Sequence, residues 1–164
     1  MFEHFDKPDE LFRYRLGVAL TMERDSLEML GELEQAARSE ELKKMFSHHA
    51  DETRGQIENL EQVFSLLSMN PDAQPNRVTD ELAKEGKELI RKSDESILDH
   101  VTLSAALETE HAEIAAYQTL IASAEAMGEA DVAKLLTENL EQEQHTSEEL
   151  HAKAKEYAAK LAAA

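Results

Sequence analysis

The sequence has no cysteine and no tryptophan, only five glycines and three prolines in 164 residues, and 17 Lys and Arg against 35 Asp and Glu. Each shortage excludes something. Without cysteine there is no disulfide, no thiolate zinc site and no thiol catalysis, so any metal must be held by oxygen and imidazole. The formal net charge of -18 repels phosphate backbones and anionic membranes, which argues against nucleic acid and membrane as partners. No run approaches the roughly 18 consecutive apolar residues of a membrane span. The opening MFEHFDKPDE lacks the basic and apolar regions of a secretory leader, so a soluble cytoplasmic protein is expected. Few glycines and prolines leave little material for turns, and β-branched and aromatic runs are scarce, so long helices are expected. The length suits one buried core, and a single domain over residues 1–164 is expected.

What is present is periodic. A first helix is predicted from about Pro8 to Ala37, with Phe12, Leu16, Leu20, Leu27 and Leu30 on one face. Ser39 followed by Glu40 and Glu41 reads as an N-cap with an acidic first turn. The second helix that starts there carries the stripe Leu42, Phe46, His49, Thr53, Gln56, Leu60, Val63 and Leu67. MNPDAQPN, at 69–76, holds two of the three prolines and breaks the pattern. Thr79 then reads as the cap of a helix of two to three turns within a crossover, DELAKEGKELIRK. A third long helix is predicted from about Asp94 to Met127, with Gly128 at its C-cap and the stripe Leu107, Ile114, Tyr117 and Ile121. The last starts near Ala130 and ends in lysines and alanines, the final alanines expected to fray. Helices of about 28 residues span roughly 42 Å. With two short turns and one crossover of about 25 residues, they specify the ferritin-like variant of the all-α four-helix bundle.

Carboxylates interrupt the apolar stripes. Glu23 lies between Leu20 and Leu27, Glu52 beside His49 and Gln56, Glu110 inside the third stripe, and Glu143 between Leu140 and Leu150. Counted from the first turn, Glu23 and Glu52 lie about 15 and 14 residues away; counted from the second, Glu110 and Glu143 lie about 18 and 15 away, within a helical turn of level. Four carboxylates therefore converge in mid-bundle. Buried like charges require a cation or protons, and no Lys or Arg stands in a stripe at that height. The simplest cation is a pair of metal ions, iron or manganese, with zinc also accommodated. Taken singly, His49 reads more often as a core histidine than as a ligand, and Glu113 reads equally as a residue at the stripe's edge. Two literal Glu-x-x-His matches, Glu108 to His111 and Glu148 to His151, fall on solvated faces, although His111 has the reach to support a ligand from behind. Tyr117 reads as a packing aromatic.

Together these segments resemble the YciE/YciF family of ferritin-like stress proteins. LFRYRLGVALTMERDSLEML is similar to the family's first-helix pattern, HADETRGQIENLEQVF to its second, EHAEIAAYQTL to its third and LLTENLEQEQ to its fourth, over about residues 11–150. The resemblance implies a dinuclear site, usually di-iron, a homodimer and a role in bacterial stress. Carried over by position, it implies the metal-ligand set Glu23, His49, Glu52, Glu110, Glu113 and Glu143. Ala112, Leu20 and Ser147 depart from the family's Tyr, Tyr and Asp, and the crossover lacks its cysteine. Gly55 and Thr146 stand where a classical Glu-x-x-His would place imidazole, so the site is poor in nitrogen. The expected activity is that of a di-iron oxidoreductase on peroxide, oxygen or ferrous iron. The alternative is a non-catalytic stress or interaction bundle with a structural metal or none. A two-carboxylate glycoside hydrolase is disfavoured, since few aromatics are available to line a sugar groove.

Overall fold

Pro8 at the first turn, where its missing N–H costs nothing, and acidic Asp9 and Glu10 behind it start α1, Pro8–Ala36. The computed structural model describes residues 4–163; residues 1–3, which begin the segment read for a leader, and Ala164, the last of the terminal alanines, lie outside them. Ser39 accepts a hydrogen bond from the Glu41 N–H and opens α2, Glu40–Leu66. After the proline-containing linker come α3, Arg77–Lys92, a 3-10 turn at Glu95–Ile97, α4, Leu98–Ala126, and α5, Ala130–Ala163. Gly128 takes φ +78° and its N–H bonds the Glu125 carbonyl, so the predicted glycine closes α4 in the left-handed conformation it alone adopts without strain.

No strand occurs among the described residues. α1 packs on α2 and α4, and α5 on α4 and α2, while α3 lies along α1 and α4. This is the all-α ferritin-like bundle with a helix-bearing crossover that the spacing predicted. Gly17 is where the crossover meets α1. A Cβ there would stand 2.2 Å from the Asp72 carbonyl oxygen, and the Gln74 N–H donates to the Gly17 carbonyl at 3.0 Å.

Four local expectations are corrected. The crossover helix has 16 residues and is capped by Asn76, whose side chain accepts from the N–H groups of Val78 and Thr79. Thr79 is instead buried, and its hydroxyl donates to Asp25 at 2.6 Å, fastening α3 to α1. Asp94 caps the 3-10 turn, not α4 itself. Asp99, in the first turn of α4, accepts from the backbone of Arg38 and Ser39, so the α1–α2 turn is held against the start of α4. The alanines of the C-terminus remain helical and exposed through Ala163.

The third stripe also turns. Leu107, Ile114 and Ile121 are half-buried, and the buried face of α4 runs through Leu103, Ala106, Glu110, Glu113, Tyr117 and Leu120. α4 touches α1, α3 and α5, so its burial extends around more of its circumference than one stripe, and alanine fills the closest approaches.

Candidate metal centre

The apolar core is in two parts. One gathers Phe12, Leu16, Leu20, Phe64, Leu120 and Leu136; the other gathers Leu30, Leu33, Leu42, Phe46, Leu103 and Leu150. Between them, in sequence on every long helix, stand buried polar side chains: Glu23 and Ser26 on α1, His49, Thr53 and Gln56 on α2, Thr109, Glu110 and Glu113 on α4, Asn139 and Glu143 on α5. Glu23, Glu110, Glu113 and Glu143 are each no more than 4% exposed.

Glu110, Glu113 and Glu143 each offer an oxygen within 4.8 Å of the others'. Two carboxyl groups this close cannot both ionise without a cation, so in the absence of one Glu110 and Glu143 are held with a proton between them. The α4–α5 level match counted from the turn is thus realised in contact. Burial, then the charge of Glu143, drives the pKa of Glu23, Glu110 and Glu113 well above the carboxylate range. Burial pushes Glu143 up to about 7, a rise that hydrogen bonds from Glu110 and Gln56 limit.

Tyr117 does more than pack. Its hydroxyl donates to Glu23 Oε1 and accepts from Asn139 Nδ2 at 2.9 Å. Asn139 Nδ2 also donates to the Gln56 carbonyl at 3.2 Å, and its Oδ1 accepts from Asn59 at 2.8 Å. A polar chain therefore crosses α2, α5, α4 and α1 and ends on one oxygen of Glu23. Tyr117→Phe leaves that oxygen and one Asn139 hydrogen without partners. Urea unfolding of the variant is expected to show a loss of about 1 to 3 kcal/mol; no loss would mean that the ring alone matters.

The residues present fit a cation. Glu23 Oε2, Glu110 Oε2 and Glu113 Oε1 are buried without a hydrogen-bond partner, and no Lys or Arg is buried among the described residues. Hard, anionic, unpartnered oxygens converging in a water-poor layer can be satisfied by a divalent ion or by protons.

The six expected ligands fall into four placements. Glu110, Glu113 and Glu143 come together, and Glu113, read as an edge residue or a ligand, belongs fully to the seam. Glu23 adjoins them, its charge felt by Glu110 and Glu113. Glu52 stands at the rim, its side chain 24% exposed, close enough for its charge to raise Glu110 and Glu143. His49 is buried but lies outside the three-carboxylate group; its nearest carboxylate is Glu149, with Nε2 4.0 Å from Oε2. Desolvation, with His48 and His145 nearby, depresses its pKa to about 4. Glu108, His111, Glu148 and His151 are exposed, as the helical phase required; His111 does not reach inward. Sequence reasoning missed Ser26, Asn139 and the bonding role of Tyr117. Asn139, one position before Leu140 and four before Glu143, was detectable as a polar residue on the buried face, by the same test that found the glutamates.

Residues 7–163 match the family described as a domain of unknown function, DUF892. The chain is 34% identical over 140 residues to protein YciF of Escherichia coli strain K12, covering 84% of each. The crystal structure of the E. coli stress protein YciF superposes with a TM-score of 0.90 at 30% identity, over 95% of this chain and 99% of that one. YcfI of Rhodopseudomonas palustris gives a TM-score of 0.87 at 32% identity, over 92% and 98%. A Xanthomonas campestris protein, at 23% identity over 94% and 95%, shares the fold with a TM-score of 0.77. This chain belongs to the DUF892 family, as the YciF-like helical bundle that its four helix motifs resemble.

Proposed function

We propose that this chain is a stress-response protein whose mid-bundle carboxylates hold two metal ions, iron in the first place, and that the loaded protein acts on peroxide, oxygen or ferrous iron. The observation that carries the reading is the buried cluster of Glu110, Glu113 and Glu143, in which Glu110 and Glu113 each keep an unpartnered oxygen, with no buried Lys or Arg among the described residues to neutralise them. Likeness to YciF, described as a stress protein, supplies the physiological setting. Two redox metals sharing carboxylates supply a two-electron step when bound.

The chain's own part is to bind and to exclude. Glu110, Glu113 and Glu143 offer the shared oxygens, Glu23 and Glu52 stand ready to complete the set, and Tyr117 fixes the direction of Glu23. Gln56 and Ser26 lie beside Glu143 and Glu113 and moderate the rise of their pKa values. The two apolar clusters keep water from the layer above and below.

Burial also favours a second reading, in which the metal is structural. Of the five carboxylates, Glu52 is the partly exposed one, its side chain 24% exposed, and a small oxidant reaching the layer by that rim passes it. Protein purified without added metal is expected to carry about two ions per chain by elemental analysis, the nuclearity this bundle type builds, and to consume hydrogen peroxide faster than its chelated form. Two metals without turnover select the structural reading; no metal at all overturns both. The family resemblance also implies a homodimer, so light scattering should give twice the 18.4 kDa chain mass; a monomer at micromolar concentration counts against it.

A further inference from the structure

The crossover helix leaves half of a groove uncovered. α3 lies between α1 and α4 only along the C-terminal half of α1 and the N-terminal half of α4, where Thr79 bonds Asp25, Lys87 pairs with Glu32 and Gly86 stands against Ala105. Along the other half, from Pro8 to Met22 on α1 and Ala112 to Met127 on α4, two adjoining hollows of about 500 and 350 Å³ stay open, sharing Arg15, Thr119 and Leu120. α1 presents Leu11, Phe12 and Met22 there, and α4 presents its alanines. Leu11 is 46% exposed, Val78 60% and Met127 36%, so three large apolar side chains stand in water around one surface. A single exposed apolar residue needs no explanation; a contiguous group does.

The charge of this surface is as unusual as its apolarity. Asp and Glu make up 35 of the 164 residues, yet among the described residues none lines either hollow, and Arg15 is the one charged side chain. Other hollows differ. The one between α1 and α3 is edged by Asp25, Glu28, Glu32 and Asp80, and the one at the α4–α5 turn by Glu125, Glu138 and Glu141. A basic partner would be held better by those acidic faces, whereas an uncharged face around one arginine suits a partner that is itself strongly acidic. A second copy of this chain is such a partner.

We propose that the uncovered half of the α1–α4 groove is the surface on which a second copy of this chain docks. The assignment rests on the homodimer expected above and is independent of the metal. Two chains of net charge -18 repel, and they approach at least cost where neither turns carboxylates on the other and each turns an arginine toward the other's acidic body. The size is sufficient. At 1.5 Å per residue both helical stretches run for roughly 22 Å, and two helices packed about 8 to 10 Å apart make a face roughly 20 Å wide. Two such faces bury on the order of 1,000 Å², the lower bound of a specific interface. A two-fold axis sets the same patch on both sides, so the protruding Leu11 and Met127 of one copy meet a face hollowed over Ala115 and Ala122 in the other.

The test is sedimentation equilibrium of the full-length protein at micromolar concentration, with circular dichroism to verify unchanged helicity. Ala115→Glu and Ala122→Glu each put a carboxylate at an exposed position of the face and keep a good helix former there. A two-fold interface receives each change twice, so either variant is expected to raise the dimer Kd about 100-fold or more. Leu89→Glu adds the same charge at an exposed apolar position of α3 outside the groove and should leave the Kd unchanged. A wild-type dimer that Ala115→Glu and Ala122→Glu leave intact, or that Leu89→Glu weakens equally, overturns the surface and spares the dimer. A wild-type monomer overturns both.

Discussion

Replacing Glu110 by leucine is expected to empty the carboxylate centre of metal while leaving the metal-free protein equally stable or more stable, by about 1 to 4 kcal/mol. Two effects set the sign. Glu110 is 3% exposed, and its pKa is raised by burial and by the charges of Glu143, Glu23 and Glu52; leucine removes that strain and joins Leu103 and Leu120 on the same helical face. Against this, Glu143 loses the pairing with Glu110 that limits its own pKa rise, an effect smaller than the burial of a second carboxyl group. The relief therefore outweighs the lost pairing. Elemental analysis and urea unfolding of chelated protein check both halves. A variant that still holds two ions at the centre, or loses more than about 2 kcal/mol as a disrupted core position does, would show that this glutamate serves packing or polar pairing.

The second large effect is in pH. Between pH 5 and 8, metal-free wild-type protein is expected to lose about 3 kcal/mol more stability than Glu143→Gln. The sign follows from linkage: a carboxyl whose folded pKa is raised binds more protons folded than unfolded, so its stabilisation is complete below the unfolded value and is lost as pH climbs through the folded one. For Glu143 that window runs from 4.5 to about 7, and at 1.36 kcal/mol per pH unit the loss is about 3 kcal/mol. Glu23, Glu110 and Glu113 shift in the same direction. His49 acts oppositely, its depressed pKa of about 4 adding stability as pH rises through the range up to 6.5. Comparison with Glu143→Gln cancels His49, which both proteins share. Metal-loaded protein should invert the trend, because an ion displaces the protons and binds better as pH rises. Denaturant melts at several pH values decide it; a difference independent of pH would mean that Glu143 keeps an ordinary carboxylate pKa.

Much of this centre is legible in the chain, because helical phase and distance from a turn are both countable. Glu23, Glu110 and Glu143 interrupt apolar stripes, and the count from Gly128 puts the last two within a turn of each other, where the structure brings an oxygen of each within 4.8 Å. Glu113 was ambiguous for a reason of packing. Leu107, Ile114 and Ile121 suggested one face of α4, but contact with α1, α3 and α5 rotates the deepest burial onto Leu103, Glu110, Glu113 and Tyr117. Alanines carry no hydrophobic signal strong enough to reveal that rotation. His49 has the converse history: its stripe position correctly foretold burial, while the direction of its ring, towards Glu149 on α5, depends on an angle that one helix's periodicity does not contain.

The sequence by itself determined the all-α class, the four long helices and their turns, the single crossover, the restriction to oxygen and imidazole ligands, and the presence of carboxylates where leucine belongs. These are properties of local periodicity, capping and composition, each readable within a few turns of chain. Only the tertiary structure decided which carboxylates share a centre, that Tyr117 and Asn139 aim Glu23, and that His49 faces a different partner from the glutamates beside it. Those outcomes depend on how far each helix rotates about its own axis when four are packed together, and that rotation is fixed by side-chain volumes on all neighbours at once.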